Sequence, residues 1–172
     1  MINYDLTKIK AIIFDVDGVL STATVSMDAE GQPLRTLNVK DGYAMQLAVK
    51  MGLTVGIISG GKGEPVRQRY EYLHVPYIYL GSHVKTTDLQ EILDKTGIQL
   101  EEVLYMGDDI PDYDVMKLVG LPCCPADACP EIKAIARYVS PFTGGNGCAR
   151  DVIEQVMKAQ GLWMSDKIAF GW

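Results

Sequence analysis

A chain of 172 residues, 48% hydrophobic and 22% charged, has the composition of one ordinary globular domain with a core of its own. Its net charge of −6 argues against a nucleic-acid or anionic-membrane partner, although a local group of cations can still receive a small anion. No apolar run approaches the ~20 residues that cross a bilayer, no leader-like segment opens the chain, and Cys123, Cys124, Cys129 and Cys148 lack zinc spacing, so a cytoplasmic protein with reduced thiols is expected.

In chain order, Lys10 to Asp15 reads as a buried strand, because Ala-Ile-Ile-Phe shows no polar alternation. It ends in two carboxylates one residue apart, Asp15 and Asp17, and then Gly18. Thr22 to Met27 and Pro33 to Asn38 alternate around a turn-like Asp28 to Gly31, which predicts a hairpin inserted at about 21–38. Asp41 is expected to cap a helix from about Gly42 to Met51. A second buried strand, Leu53 to Ile58, stops at Ser59-Gly60-Gly61, and a helix follows from about Gly63 to Leu73. Val75 to Leu80 is a third strand, and Lys85 to Thr96 a helix with Leu89, Ile92 and Leu93 on its apolar face. Glu102 to Met106 is a fourth strand ending at Gly107-Asp108-Asp109. After it come a helix from Pro111 to Val119, a short strand at Leu121 to Cys124, a short helix from Pro130 that Asp127 could cap, and an edge strand at Tyr138-Val139. A last helix runs from about Cys148 to Gln160, behind Gly144-Gly145-Asn146-Gly147. The tail, about 161–172, carries Trp163, Phe170 and Trp172. Strands alternating with helices predict a three-layer α/β fold with a doubly wound, Rossmann-like parallel sheet, and one domain over 1–172 with no cap.

In such a sheet the site lies at the carboxyl ends of the strands. Four successive strand ends offer one class of tool: Asp15 and Asp17; Ser59 with its glycines; Lys85; and Asp108, Asp109 and Asp112. Each alone also reads as a turn, a helix cap or a surface lysine, and only their joint order points to chemistry. Converging carboxylates need a counter-charge, and hard oxygen donors suit Mg²⁺. A serine hydroxyl, N–H groups at a glycine turn and one lysine suit a phosphoryl group. Together they describe phosphoryl transfer through an aspartyl-phosphate. A phospho-receiver-like signalling domain uses a similar kit. It differs in carrying its phosphoacceptor on a middle strand, and multiple turnover would separate the two.

Asp15-Val16-Asp17-Gly18, Ser59-Gly60, Lys85 and Gly107-Asp108-Asp109 with Asp112 resemble the four motifs of the haloacid dehalogenase superfamily. Within it, Asn38 to Tyr43, Ile57 to Lys62, Tyr105 to Asp109 and Gly144 to Gly147 are similar to the cap-less phosphatases of 3-deoxy-D-manno-octulosonate 8-phosphate. The resemblance implies that Asp15 attacks phosphorus. Asp17 protonates the leaving sugar alkoxide, activates water in the second step and meets Mg²⁺ through its backbone carbonyl. Carboxylates of Asp15 and Asp108 hold the metal, Asp109 and Asp112 orient metal waters and Lys85, and Ser59, Gly60 and Lys85 hold the phosphoryl oxygens. Asn38, Val39, Lys40, Asp41, Gly42, Lys62 and Arg69 are then the substrate residues. The implied assembly is a homotetramer joined through its hairpins, and the implied role is release of an eight-carbon sugar acid for lipopolysaccharide assembly. A nine-carbon sugar-acid 9-phosphate is the rival substrate, because the chain has Gly61 and Gln46 where similar phosphatases often carry arginine. The apolar tail is expected to dock either on a neighbouring subunit near its site or on its own domain.

Overall fold

The computed structural model of the protein describes residues 1–171. The unbroken apolar run near the N-terminus forms β1 (Ala11–Phe14), with all four side chains buried. A strand covered on both faces cannot alternate, and β1 lies in the middle of the sheet for that reason. The chain continues through a ribbon of β2 (Ser26–Met27) and β3 (Pro33–Leu34), α1 (Val39–Lys50), β4 (Thr54–Ser59), α2 (Glu64–Tyr72), β5 (Tyr77–Leu80) and α3 (Lys85–Thr96). It ends with β6 (Val103–Met106), α4 (Tyr113–Leu118), β7 (Leu121–Cys124), α5 (Pro130–Ile135), β8 (Tyr138–Val139) and α6 (Cys148–Ala159). The main sheet has the order β5-β4-β1-β6-β7-β8, and each neighbouring pair is parallel.

Register decides where the site can be. Phe14 lies opposite Ile57 of β4 and Met106 of β6. The three strands therefore end almost level, and their following loops meet at one edge. On one face Ile12 and Phe14 pack with Leu47, Leu73, Val152 and Val156. On the other, Ile13 and Tyr105 pack with Leu89, Ile92, Val115 and Ile132. These two clusters make the three layers expected of a doubly wound sheet.

Three local readings differ from expectation. Helix α1 starts at Val39, because Asn38 is the cap: its side-chain oxygen accepts from the N–H groups of Lys40 (2.9 Å) and Asp41 (3.3 Å). Asp41 is buried, and its Oδ1 accepts instead from the Arg150 N–H at 2.7 Å, in the first turn of α6. Asp127 likewise accepts from the Gly144 N–H (2.9 Å) and does not cap α5. The segment expected as one helix from Pro111 divides into a 3₁₀ turn, Ile110–Asp112, and α4. In the tail, Lys167–Phe170 forms a 3₁₀ turn, and the Ala169 carbonyl accepts from the Tyr43 hydroxyl. Ala169 is thus buried on its own chain, while Phe170 is 72% exposed. Trp172 lies outside the described residues.

Candidate active site

Three loops converge because one of them has no side chain in the way. Gly18 has φ +81°, and a Cβ there would lie 2.0 Å from Asp108 Oδ2. A left-handed backbone with no Cβ lets the β1 loop approach the β6 loop. Asp15, at the end of β1, accepts from the Val16 N–H through Oδ1 (2.6 Å). Its Oδ2 is 3.0 Å from Lys85 Nζ, at the start of α3. Lys85 also lies 2.6 Å from Asp112 Oδ1, and its side chain is 6% exposed.

Asp112 is held from three sides. Besides Lys85, the Tyr105 hydroxyl donates to Oδ1 (2.7 Å) and the Asp108 N–H donates to Oδ2 (3.2 Å). The carboxylate oxygens offered by Asp15, Asp108 and Asp112 all lie within 4.8 Å of one another.

This crowding is expensive when the acids are ionised. Burial first, then the neighbouring Asp112 carboxylate, pushes Asp15 up to about 6 against the opposing pull of Lys85. Burial, then Asp112, Asp15 and Asp109, pushes Asp108 up to about 7. Burial alone would lower Lys85, but the carboxylates of Asp15 and Asp112 prevail and raise it. One ammonium does not balance three carboxylates. A donor set of hard anionic oxygens short of positive charge fits a divalent cation such as Mg²⁺.

A pH dependence follows with a definite sign. In the folded, metal-free protein Asp15 and Asp108 still hold protons at pH values where the unfolded chain, with carboxyls near 3.8, has released them. The folded state binds more protons between about pH 4 and 7, so these two groups lower stability as pH rises through that window. Thermal unfolding with EDTA is expected to show this fall. Mg²⁺ should raise the unfolding temperature much more at pH 8 than at pH 5, because it displaces protons at the lower pH. An equal increment at both pH values would contradict the assignment.

The remaining expected residues divide by place. Ser59 ends β4, is buried, and its Oγ accepts from the Gly61 N–H (3.2 Å); Gly60 beside it is exposed. Lys62 and Arg69 line a cavity of about 380 Å³ between the hairpin and α2. Asn38, Val39 and Lys40 line a second cavity of about 680 Å³ against α6. Gly42 faces Arg69, with room for no Cβ: one would lie 2.4 Å from Nη2. Asp41 accepts from the Arg150 N–H in the first turn of α6, as described above. Asp109 is exposed, and the ion pairs of Lys85 are with Asp15 and Asp112, so Asp109 does not orient the lysine. Asp112 joins the carboxylate cluster itself, whereas the Asp17 carboxylate points to Arg35.

Two residues of the site escape a reading of strand ends. Tyr105 points inward from the middle of β6, and its signal is a lone hydroxyl in an apolar strand. Arg35 sits just past β3, in the alternating part of the hairpin. Its Nε and Nη2 donate to the two oxygens of Asp17 at 2.7 and 2.9 Å.

Comparison with known proteins agrees with this geometry. Residues 67–151 match the model of a family described as haloacid dehalogenase-like hydrolase. The 3-deoxy-D-manno-octulosonate 8-phosphate phosphatase of Escherichia coli K12 is 39% identical over 153 residues, covering 89% of this chain and 81% of that protein. The crystal structure of the Moraxella catarrhalis phosphatase of the same name, in complex with magnesium, phosphate and KDO, superposes with a TM-score of 0.90 at 31% identity. That match covers 97% of this chain and 96% of the other. The Yersinia pestis phosphatase gives 0.88 at 34% identity, over 92% and 85% of the two chains.

Proposed function

The chain belongs to the haloacid dehalogenase-like hydrolases, and we propose from that membership that it is a Mg²⁺-dependent phosphatase of 3-deoxy-D-manno-octulosonate 8-phosphate. It releases KDO and inorganic phosphate, a step that supplies lipopolysaccharide assembly. The observation that carries the reading is the cluster of Asp15, Asp108 and Asp112 around buried Lys85, at the ends of β1 and β6. The similar phosphatases act on the eight-carbon acid by name, which favours it over the nine-carbon acid and over a receiver-like domain.

The chemistry proceeds in two balanced steps. Asp15 Oδ attacks phosphorus in line; the bond from phosphorus to the sugar oxygen breaks, and Asp17 gives its proton to the departing alkoxide. Asp17, now a carboxylate, takes a proton from water, whose oxygen attacks the same phosphorus. The bond to Asp15 breaks and phosphate leaves. Ser59, the N–H of Gly60 and Lys85 hold the equatorial oxygens, where charge spreads in both transition states. Lys85 is fixed for this by Asp112, which Tyr105 and the Asp108 N–H hold in turn. Asp15, Asp108 and Asp112, with the backbone carbonyl of Asp17, would hold the Mg²⁺, which supplies positive charge against the phosphoryl group when bound. The cavity with Lys62 and Arg69 is also lined by Val16 and Arg35, and it offers cations to the sugar carboxylate.

The protein acts as a single domain, in the cytoplasm, as a homotetramer. No described helix is long and apolar enough to cross a membrane. Met27, Leu34, Leu37 and Val39 on and beside the hairpin are all more than half exposed, an apolar patch that a second copy would cover. Light scattering should give the mass of four chains, and a single-chain mass overturns the tetramer.

The deciding experiment is phosphate release from eight- and nine-carbon sugar-acid phosphates, with hexose phosphates as controls. Turnover that needs Mg²⁺ and favours the eight-carbon acid by roughly tenfold or more is expected. Preference for the nine-carbon acid would change the substrate, and one stable phosphorylation without turnover would end the phosphatase reading.

A further inference from the structure

Among the described residues, Arg35 is the one cation paired with Asp17. The Arg35 side chain is 12% exposed, against 40% for Asp17. Its Nε and Nη2 grip Oδ1 and Oδ2 of Asp17 in a fork, at 2.7 and 2.9 Å. The third nitrogen, Nη1, donates to the Lys62 carbonyl at 3.0 Å. The guanidinium thus ties the hairpin to both the β1 loop and the β4 loop. A planar fork matched to a carboxylate fixes the plane of that carboxylate as well as its distance, which a lysine cannot do.

The β4 loop makes room for this fork. A Cβ on Gly61 would lie 2.4 Å from Arg35 Nη2 and 2.9 Å from Asp17 Oδ2. Any side chain at 61 therefore competes for the space between the two groups. The atom it would displace is the free end of a flexible side chain, so the fold itself is not at stake.

We propose that Arg35 is the positioning residue of Asp17, and that Gly61 is glycine to admit it. A carboxyl group has about four lone-pair sites; the fork takes two and leaves the outer two, one of them for the proton that Asp17 gives to the leaving oxygen. Asp17 is thereby aimed at the leaving oxygen before substrate arrives. The hairpin contributes to the rate through this one contact, in addition to any role it has in assembly. The inference rests on the phosphatase reading above, in which Asp17 serves the leaving group.

The effect has a signature that simple damage lacks. A sugar alkoxide is a poor leaving group and depends on a well-aimed proton donor; p-nitrophenolate leaves without one. First-turnover rates should be measured by rapid quench for both esters, in wild type, Arg35→Ala, Arg35→Lys, Gly61→Ala and the double variant. Arg35→Ala is expected to slow first turnover of the sugar ester by roughly ten- to a hundredfold, since general acid catalysis is worth 10²–10⁴ and only its aim is lost. Release of p-nitrophenolate should change by less than about threefold. Arg35→Lys should recover part of the rate. Gly61→Ala should reproduce the loss with Arg35 still present, and the double variant should be no worse than either single one. Equal losses for both esters, or no loss for either, would overturn the proposal. Wild type inert on the sugar-acid ester but active on another alkyl phosphate would overturn the substrate reading instead, and the same leaving-group comparison would then be made on that alkyl ester.

Discussion

Asp15→Asn is expected to lose phosphate release by at least about 10⁵-fold in kcat, the scale on which enzymes fall when an activated nucleophile is removed. No other carboxylate takes its place. The Asp17 carboxylate is held by the Arg35 fork, and Asp112 is fixed beneath by Lys85, Tyr105 and the Asp108 N–H. The variant should fold. Burial and the Asp112 carboxylate make ionised Asp15 a cost to the free protein, so an amide there should leave the unfolding temperature at pH 8 without Mg²⁺ unchanged or higher. Intact-mass spectrometry on quenched reactions should find a phosphorylated chain in wild type and none in the variant. A variant with even one per cent of wild-type turnover would remove Asp15 from the role of nucleophile.

Lys85→Ala should be damaging twice over. It leaves Asp15 and Asp112 buried without their shared counter-charge. Removing one partner of a buried ion pair costs about 3–5 kcal/mol, and urea unfolding at pH 8 in EDTA should show a loss of that size. It also removes the ammonium that would meet the phosphoryl oxygens, for a further fall in kcat of about 10²–10³. Mg²⁺ should restore part of the stability without restoring turnover. An unchanged urea midpoint would mean that Lys85 is not the counter-ion the geometry makes it.

The layered fold was legible in the sequence because its strands are short apolar runs bounded by glycine and acid. Lys85 to Thr96 and Leu121 to Cys124 form the elements their patterns predict, residue for residue. The strand-end residues were legible for the same reason. Asp15, Ser59, Lys85 and Asp108 each stand where an apolar segment stops or a helix begins, and parallel register brings those points together. What stayed hidden are side-chain contacts between distant segments. Asn38 and Asp41 are both good caps, three residues apart, and only the packing of α6 on α1 turns Asp41 away from its own helix. Asp112 is one turn beyond the Asp pair and reads as an accessory, yet the tight turn at Ile110–Asp112 brings it into the cluster while Asp109 faces solvent. Arg35 could not be distinguished from any other polar residue of a ribbon. Its significance lies in the space left by Gly61, 26 positions away in the chain, and composition and periodicity carry no such information.

One contact behind the catalytic loop bears on how the molecule comes into being. The Val19 carbonyl accepts from the Gly145 N–H (2.8 Å) and from Cys148 Sγ (3.2 Å), the latter 129 residues later in the chain. A Cβ on Gly144 would fall 2.0 Å from the Gly18 carbonyl oxygen, so the later loop lies flush against the earlier one. On the ribosome, Asp15 and Asp17 emerge well before the backbone that braces their loop. Residues 1 to 143 contain every carboxylate of the cluster as well as Lys85, and still lack the brace. A nascent chain that stops short of Gly144 therefore holds these acids without the brace, and gains it only when Gly144 to Cys148 are made.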